Sequence, residues 1–143
     1  MSNLSNRLKE CIQEHGVTQS ALAKATGIER SNISEFISEK HTPSYTNFIA
    51  LLCYFNCSAD YMLGLTDIHT EEPLHQPPAF ATRLRTLLKE QGLTQTAVIE
   101  NLPVSASVLY KWLSGKSLPS TDTLIRLATF FDCSVDYLIG RIQ

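Results

Sequence analysis

The feature that most constrains this chain is that it repeats itself. Shifted by 76 residues, the sequence matches itself without a gap, so that 4–67 fall on 80–143. The match contains about twenty identities, the mark of one structural unit present twice. Arg7-Leu8 meets Arg83-Leu84, and Gly16-Val-Thr-Gln19 meets Gly92-Leu-Thr-Gln95. Further on, Pro43-Ser44 meets Pro119-Ser120, and Phe55-Asn-Cys-Ser-Ala-Asp-Tyr61 meets Phe131-Asp-Cys-Ser-Val-Asp-Tyr137. A unit of about 64 residues folds alone around a small core. Three segments are therefore expected: a first copy over 1–67, a connecting stretch over 68–79 and a second copy over 80–143.

Each copy reads as five short helices. In the first, Leu4, Leu8, Cys11 and Ile12 recur at helical spacing and stop at Gly16. Thr18 is placed to cap a helix over 19–25 that Gly27 ends. Ser31, Ile33, Phe36 and Ile37 suggest a third helix from about 29 to 38. Ser44 caps a fourth, the most apolar, with Phe48, Ile49, Leu51, Leu52 and Phe55. Ser58 caps a short fifth that ends at Gly64. No useful length alternates with period two, so the expected class is all-α. The connecting stretch holds three prolines and two adjacent acids, a composition that opposes helix and strand alike.

Helices two and three, joined by a short turn around a glycine, form a helix-turn-helix. The motif demands a small residue where the helices cross, a turn residue at positive φ, and two apolar residues to seat the second helix. In the first copy these are Ala23, Gly27, Ile33 and Phe36. With this motif, Thr18-Gln19, Pro43-Ser44 and Cys57-Ser-Ala-Asp-Tyr-Met-Leu-Gly64, the chain resembles the Xre family, the phage-repressor-like domains of the lambda-repressor and Cro type. Tyr110-Lys-Trp-Leu-Ser-Gly-Lys-Ser-Leu-Pro119 in the second copy is closer still. The resemblance covers both copies and implies two five-helix domains in tandem.

The resemblance also implies a bacterial or phage regulator, most simply a repressor, that binds double-stranded DNA with helix three in the major groove. Carried over by position, Arg30, Ser31, Asn32 and Glu35 of the first copy would meet base edges. Ala106, Ser107, Val108 and Lys111 are their counterparts in the second. Gln19, Ser38 and Lys40, with Gln95, Ser114 and Lys116, would hold the phosphate backbone. Arg30 suits guanine O6 and N7, Asn32 suits adenine, and Lys111 suits guanine or a phosphate.

The copies depart from the pattern in complementary ways. The first keeps its turn but carries Glu29, Glu35 and Glu39 around helix three, and a carboxylate facing phosphate is repelled unless it accepts from cytosine N4. The second has no acid on helix three, but Ile99 replaces the small residue and Pro103 the turn glycine. Proline cannot take positive φ, so that turn must be built differently, and Leu102 before it is restricted as well. The formal charge of −2 hides this division: residues 1–67 carry −2, the connection −2, and 80–143 carry +2.

Two arrangements follow: both copies bind DNA as a covalent pseudo-dimer, or one binds while the other dimerises or takes a regulator. An alternative class is a protein-interaction module of antitoxin or anti-repressor type, motivated by the acidity and by Glu35. No phosphate loop, nucleophile elbow or Ser/Lys module points to an enzyme. The four cysteines lack Cys-x-x-Cys spacing and read as small buried hydrophobes, with Cys57 and Cys133 in equivalent places. Neither a metal nor a cofactor is expected, although His69, Glu71, Glu72 and His75 cluster in sequence. A homodimer is open, through a surface the sequence does not identify. With no apolar run of membrane length and no signal-peptide core in its opening residues, a place in the cytoplasm, at the nucleoid, is the expectation.

Overall fold

The computed structural model describes residues 3–68 and 74–142. Ten helices are found among them and no strand, in the order the repeat requires. The chain divides into two units, Met1–Glu72 and Pro73–Gln143.

The first unit contains α1 (Asn3–His15), α2 (Gln19–Thr26), α3 (Arg30–Ile37), α4 (Tyr45–Phe55) and α5 (Ala59–Met62). Caps set the boundaries. The side chains of Thr18, Ser44 and Ser58 accept hydrogen bonds from the backbone N–H of Ala21, Asn47 and Tyr61 at 3.0, 3.2 and 3.0 Å. Each satisfies one of the donors that a helix start leaves open, a contribution of about 1 kcal/mol. At the other ends, Gly27 and Asn56 take left-handed backbone at φ 76° and 48°.

Helix α4 lies in the middle of the core, with Phe48, Leu51 and Leu52 wholly buried. Leu4, Leu8 and Cys11 of α1, Leu22 of α2, and Ile33 and Phe36 of α3 are buried with it. Each such side chain gains about 1.5–3 kcal/mol by leaving water, and truncating Phe48 to Ala would cost about 3–5 kcal/mol. Burial pushes the Tyr45 phenol up to about 12. The buried Cys11 thiol is held below its usual range, chiefly by its hydrogen bond with Cys57.

The second unit repeats the arrangement: α6 (Phe80–Glu90), α7 (Gln95–Asn101), α8 (Ala106–Leu113), α9 (Thr121–Phe131) and α10 (Val135–Ile139). Phe80, Leu84 and Leu87 replace Leu4, Leu8 and Cys11, and Trp112 packs edge-on against Phe80 at 6.4 Å between ring centroids. One clamp occurs in both units. The Arg7 guanidinium lies 4.1 Å from the centre of the Tyr61 ring, and that of Arg83 lies 4.7 Å from that of Tyr137. Arg83 also donates twice to the Tyr137 carbonyl, at 3.1 and 2.7 Å, fastening the first helix of the unit to its last.

One reading of the sequence needs correction. Cys53 is exposed and Cys133 half-buried, so only Cys11 and Cys57 are the small core residues expected of all four. Cys53 lies on the outer side of α4, beside the exposed Tyr54 and away from the buried Leu51, Leu52 and Phe55. Part of the connecting stretch 68–79 packs on the second unit. The His75 N–H donates to the Arg141 carbonyl at 2.8 Å. Pro78 comes so near Gly140, at φ 87°, that a Cβ there would lie 2.7 Å from its Cδ. His69, Glu71 and Glu72 lie outside the described residues.

Candidate nucleic-acid interface

In the first unit the helix-turn-helix has the geometry its residues demand. The Gly27 N–H closes onto the Ala23 carbonyl at 2.9 Å, with Gly27 at φ 76°. The Thr26 hydroxyl donates to the Leu22 carbonyl at 2.7 Å and accepts from the Ile28 N–H at 3.3 Å. Ile28, Ile33 and Phe36 are buried and seat α3 on the core. Glu29, which precedes α3, makes no side-chain cap, although its charge is well placed at that helix start.

This seating turns Arg30, Ser31 and Ser34 outward, all exposed, while Asn32 and Glu35 are half-buried at the sides. Gln19, Arg30, Ser31 and Ser34 line one hollow of about 350 Å³. The structure thus brings together Gln19, Arg30 and Ser31 and adds Ser34. Sequence reasoning passed over Ser34, although it follows Arg30 by four and Ser31 by three. Asn32 and Glu35 are not in that hollow. Glu35 is turned toward His41, 3.5 Å from its Nε2, which makes an ion pair when the ring is protonated. Ser38 and Lys40 are exposed in the loop after α3. The Ser38 hydroxyl donates to the Glu35 carbonyl at 3.3 Å, and the Lys40 N–H does so at 2.9 Å.

The second unit makes its turn differently. Helix α7 is one residue shorter than α2 and ends at Asn101. Leu102 is extended, at φ −128° and ψ 150°, as the following proline requires. The Val104 N–H then bonds the Leu102 carbonyl at 2.7 Å, a tighter turn without a left-handed residue. Val104 is left half-buried where Ile28 is buried. Helix α8 nevertheless starts well, because Ser105 accepts from the Val108 N–H at 3.2 Å. Leu109 and Trp112 bury its inner face.

On the outer face, Ala106, Ser107, Val108, Tyr110 and Lys111 are exposed. A hollow of about 570 Å³ lies beside it, lined among others by Arg85, Thr94, Gln95, Tyr110 and Ser114. Gln95 and Ser114 both line it; Ser107, Val108 and Lys111 stand outside it. Arg85 and Tyr110 are additions. Arg85 donates to the Leu113 carbonyl and ties α6 to the end of α8. Tyr110 is 61% exposed, and the Lys116 ammonium lies 5.7 Å from its ring centre. The signal for Tyr110 was present in the sequence, since it follows Ala106 by four and Ser107 by three on the same helix face.

The loops after the third helices share one left-handed position that is filled by different residues. Gly115 has φ 77°, and Glu39 holds the same left-handed conformation at φ 67°. Among the described residues, no group of three or more His, Cys, Asp or Glu could hold a metal ion. Likewise no helix among them is long and apolar enough to cross a membrane.

Two tandem five-helix units, each carrying this motif, define a class of protein. The chain belongs to the helix-turn-helix family, whose model matches it twice, over residues 8–62 and 84–138. It is similar to the HTH-type transcriptional activator BcrR of Enterococcus faecalis, 35% identical over 61 residues, 43% of this chain and 30% of that protein. It is similar to the HTH-type transcriptional regulator ImmR of Bacillus subtilis, 32% identical over 66 residues, 46% of this chain and 52% of that one. The uncharacterized HTH-type transcriptional regulator YobD of the same organism is 33% identical over 61 residues, 43% of this chain and 54% of its own length. The match thus spans about a third to a half of each relative. No solved structure matches significantly.

Proposed function

We propose that this protein is a sequence-specific double-stranded DNA-binding regulator of transcription, a repressor that occupies its operator. Helices α3 and α8 enter the major groove of neighbouring half-sites. The observation that carries this reading is the first unit's helix-turn-helix, whose packing gathers Gln19, Arg30 and Ser31 on one exposed face. Arg30, Ser31, Asn32 and Glu35 then meet bases in one half-site, and Ser107, Val108 and Lys111 in the other. Gln19, Ser38 and Lys40, with Gln95, Ser114 and Lys116, hold the backbone, which fixes register without carrying sequence information. The relatives named as transcriptional regulators support the same reading.

The tether supports a pseudo-dimer. With 75–79 held by the second unit, the chain from 68 to 74 would span roughly 20 Å if extended. Such a connection raises the effective concentration of the second unit to about the millimolar range. It favours half-sites one helical turn apart over more distant ones.

A second reading, a protein-interaction module, is favoured by the acids around α3, where Glu35 is turned to His41. Selection from a pool of randomised duplexes, followed by a reporter carrying the selected operator, separates the two. Enriched sequences and a reporter silenced by the protein support the repressor. Absence of enrichment at low salt overturns DNA reading, and activation of the reporter overturns the repressing sign.

A further inference from the structure

The two outward helix faces are built on one scaffold and differ in nearly every side chain they present. Position by position, the exposed Arg30 stands where the second unit has Ala106, the half-buried Asn32 where it has Val108, and the exposed Ser34 where it has Tyr110. Glu35 stands where it has Lys111, and only Ser31 and Ser107 agree. The first face is made of hydrogen-bonding and charged groups, and no large apolar side chain is exposed on α3. The second is partly apolar: Val108 is 38% exposed and Tyr110 61%, although α8 has already buried Leu109, Trp112 and Leu113. These exposed groups are therefore surplus to the core of their own unit.

We infer that the two units read chemically unlike half-sites, so that the operator is non-palindromic and the half-site under α8 is read through thymine methyl groups. The inference rests on the DNA-binding reading above and sharpens it. In the major groove each base pair shows its own pattern of donors, acceptors and methyl group. A guanidinium and a carboxamide, as in Arg30 and Asn32, match guanine and adenine. A carboxylate such as Glu35 has no proton to donate and suits the cytosine N4 amino group. Ala106 and Val108 have no donor or acceptor to offer in those places. What they complement is the C5-methyl of thymine, the one apolar feature in the groove. Lys111, with a charge opposite to that of Glu35, prefers guanine or a phosphate. Palindromic operators mirror a two-fold axis relating identical recognition helices. A chain with two unlike helices has no such axis, and it binds with a fixed polarity.

The test uses the full chain and a duplex pool with two randomised segments separated by one helical turn. The expected product has two different motifs, one of them containing thymine. Replacing those thymines by uracil removes only the methyl groups and should weaken binding about threefold to fivefold per contacted methyl. Val108→Asn, which puts the first unit's residue at an exposed position and leaves the fold intact by circular dichroism, should reduce the thymine-over-uracil preference. The copy-one half-site should keep its affinity through the same uracil exchange. Enrichment of two identical half-sites, or indifference to uracil, overturns this inference and leaves the regulator standing. A lack of any enrichment removes both, and assigns the apolar face of α8 to a protein partner.

Discussion

Asp136 and Arg141 meet at 3.2 Å inside the second unit, both almost wholly buried. In the first unit the place of Arg141 is taken by Leu65, which is 49% exposed. Two charges gain little net by pairing in the interior, but removing one leaves the other stranded. Arg141→Leu should therefore destabilise the second unit by about 3–5 kcal/mol. Leu65→Ala should stay within about 0.5 kcal/mol. The single tryptophan, Trp112, reports the second unit by fluorescence during urea unfolding. An unchanged midpoint for Arg141→Leu would refute the role assigned to the pair.

Glu39 holds a left-handed conformation at φ 67°, where the second unit uses Gly115. A side chain there costs about 1–2 kcal/mol, part of which glycine loses again through its freer unfolded chain. Glu39→Gly should stabilise the first unit by up to about 1 kcal/mol. Slower amide hydrogen exchange in α4 checks this, and faster exchange would contradict it.

If the third helices read bases, their outermost polar residues decide specificity. Arg30→Ala should cost about 1–3 kcal/mol and relax the preference at one base position of the first half-site. Lys111→Ala should do the same in the second half-site. Both are measured against duplexes with single base-pair changes, and unaltered preference in both variants would show that α3 and α8 are not the reading elements.

Cooperation between the units makes a geometric prediction. Binding should be tightest with half-site centres about 10 base pairs apart. Five extra base pairs turn one half-site to the opposite side of the duplex and should weaken binding about a hundredfold. Equal affinity for both spacings is the outcome if a single unit binds.

The fold was legible because the repeat and the caps are local. Thr18, Ser44 and Ser58 cap the helices they precede, and Pro103 forces Leu102 into the extended conformation that is found. Cys53 was misread because α4 is apolar nearly all round, and periodicity alone does not say which side stays wet. The Asp136–Arg141 pair was invisible because the first copy has the uncharged Leu65 where Arg141 stands, so the repeat pointed to no partner for Asp136. Tyr110 and Ser34 share helix faces with expected contacts, but a side chain's exposure depends on which way the helix is seated. That seating is a tertiary property, fixed by Ile33, Phe36, Leu109 and Trp112.

The most direct test of the central claim is the affinity of the full chain for a selected duplex and a scrambled one, measured as salt is raised. Each phosphate neutralised by a lysine or arginine contributes about −0.9 to the slope of log K against log salt. With Lys40 and Lys116 on phosphates, and Lys111 as a third where it meets one, a slope of about −2 to −3 is predicted. The selected duplex should bind at least a thousandfold tighter than the scrambled one at about physiological salt. Equal, salt-insensitive affinity for the two duplexes would contradict the account.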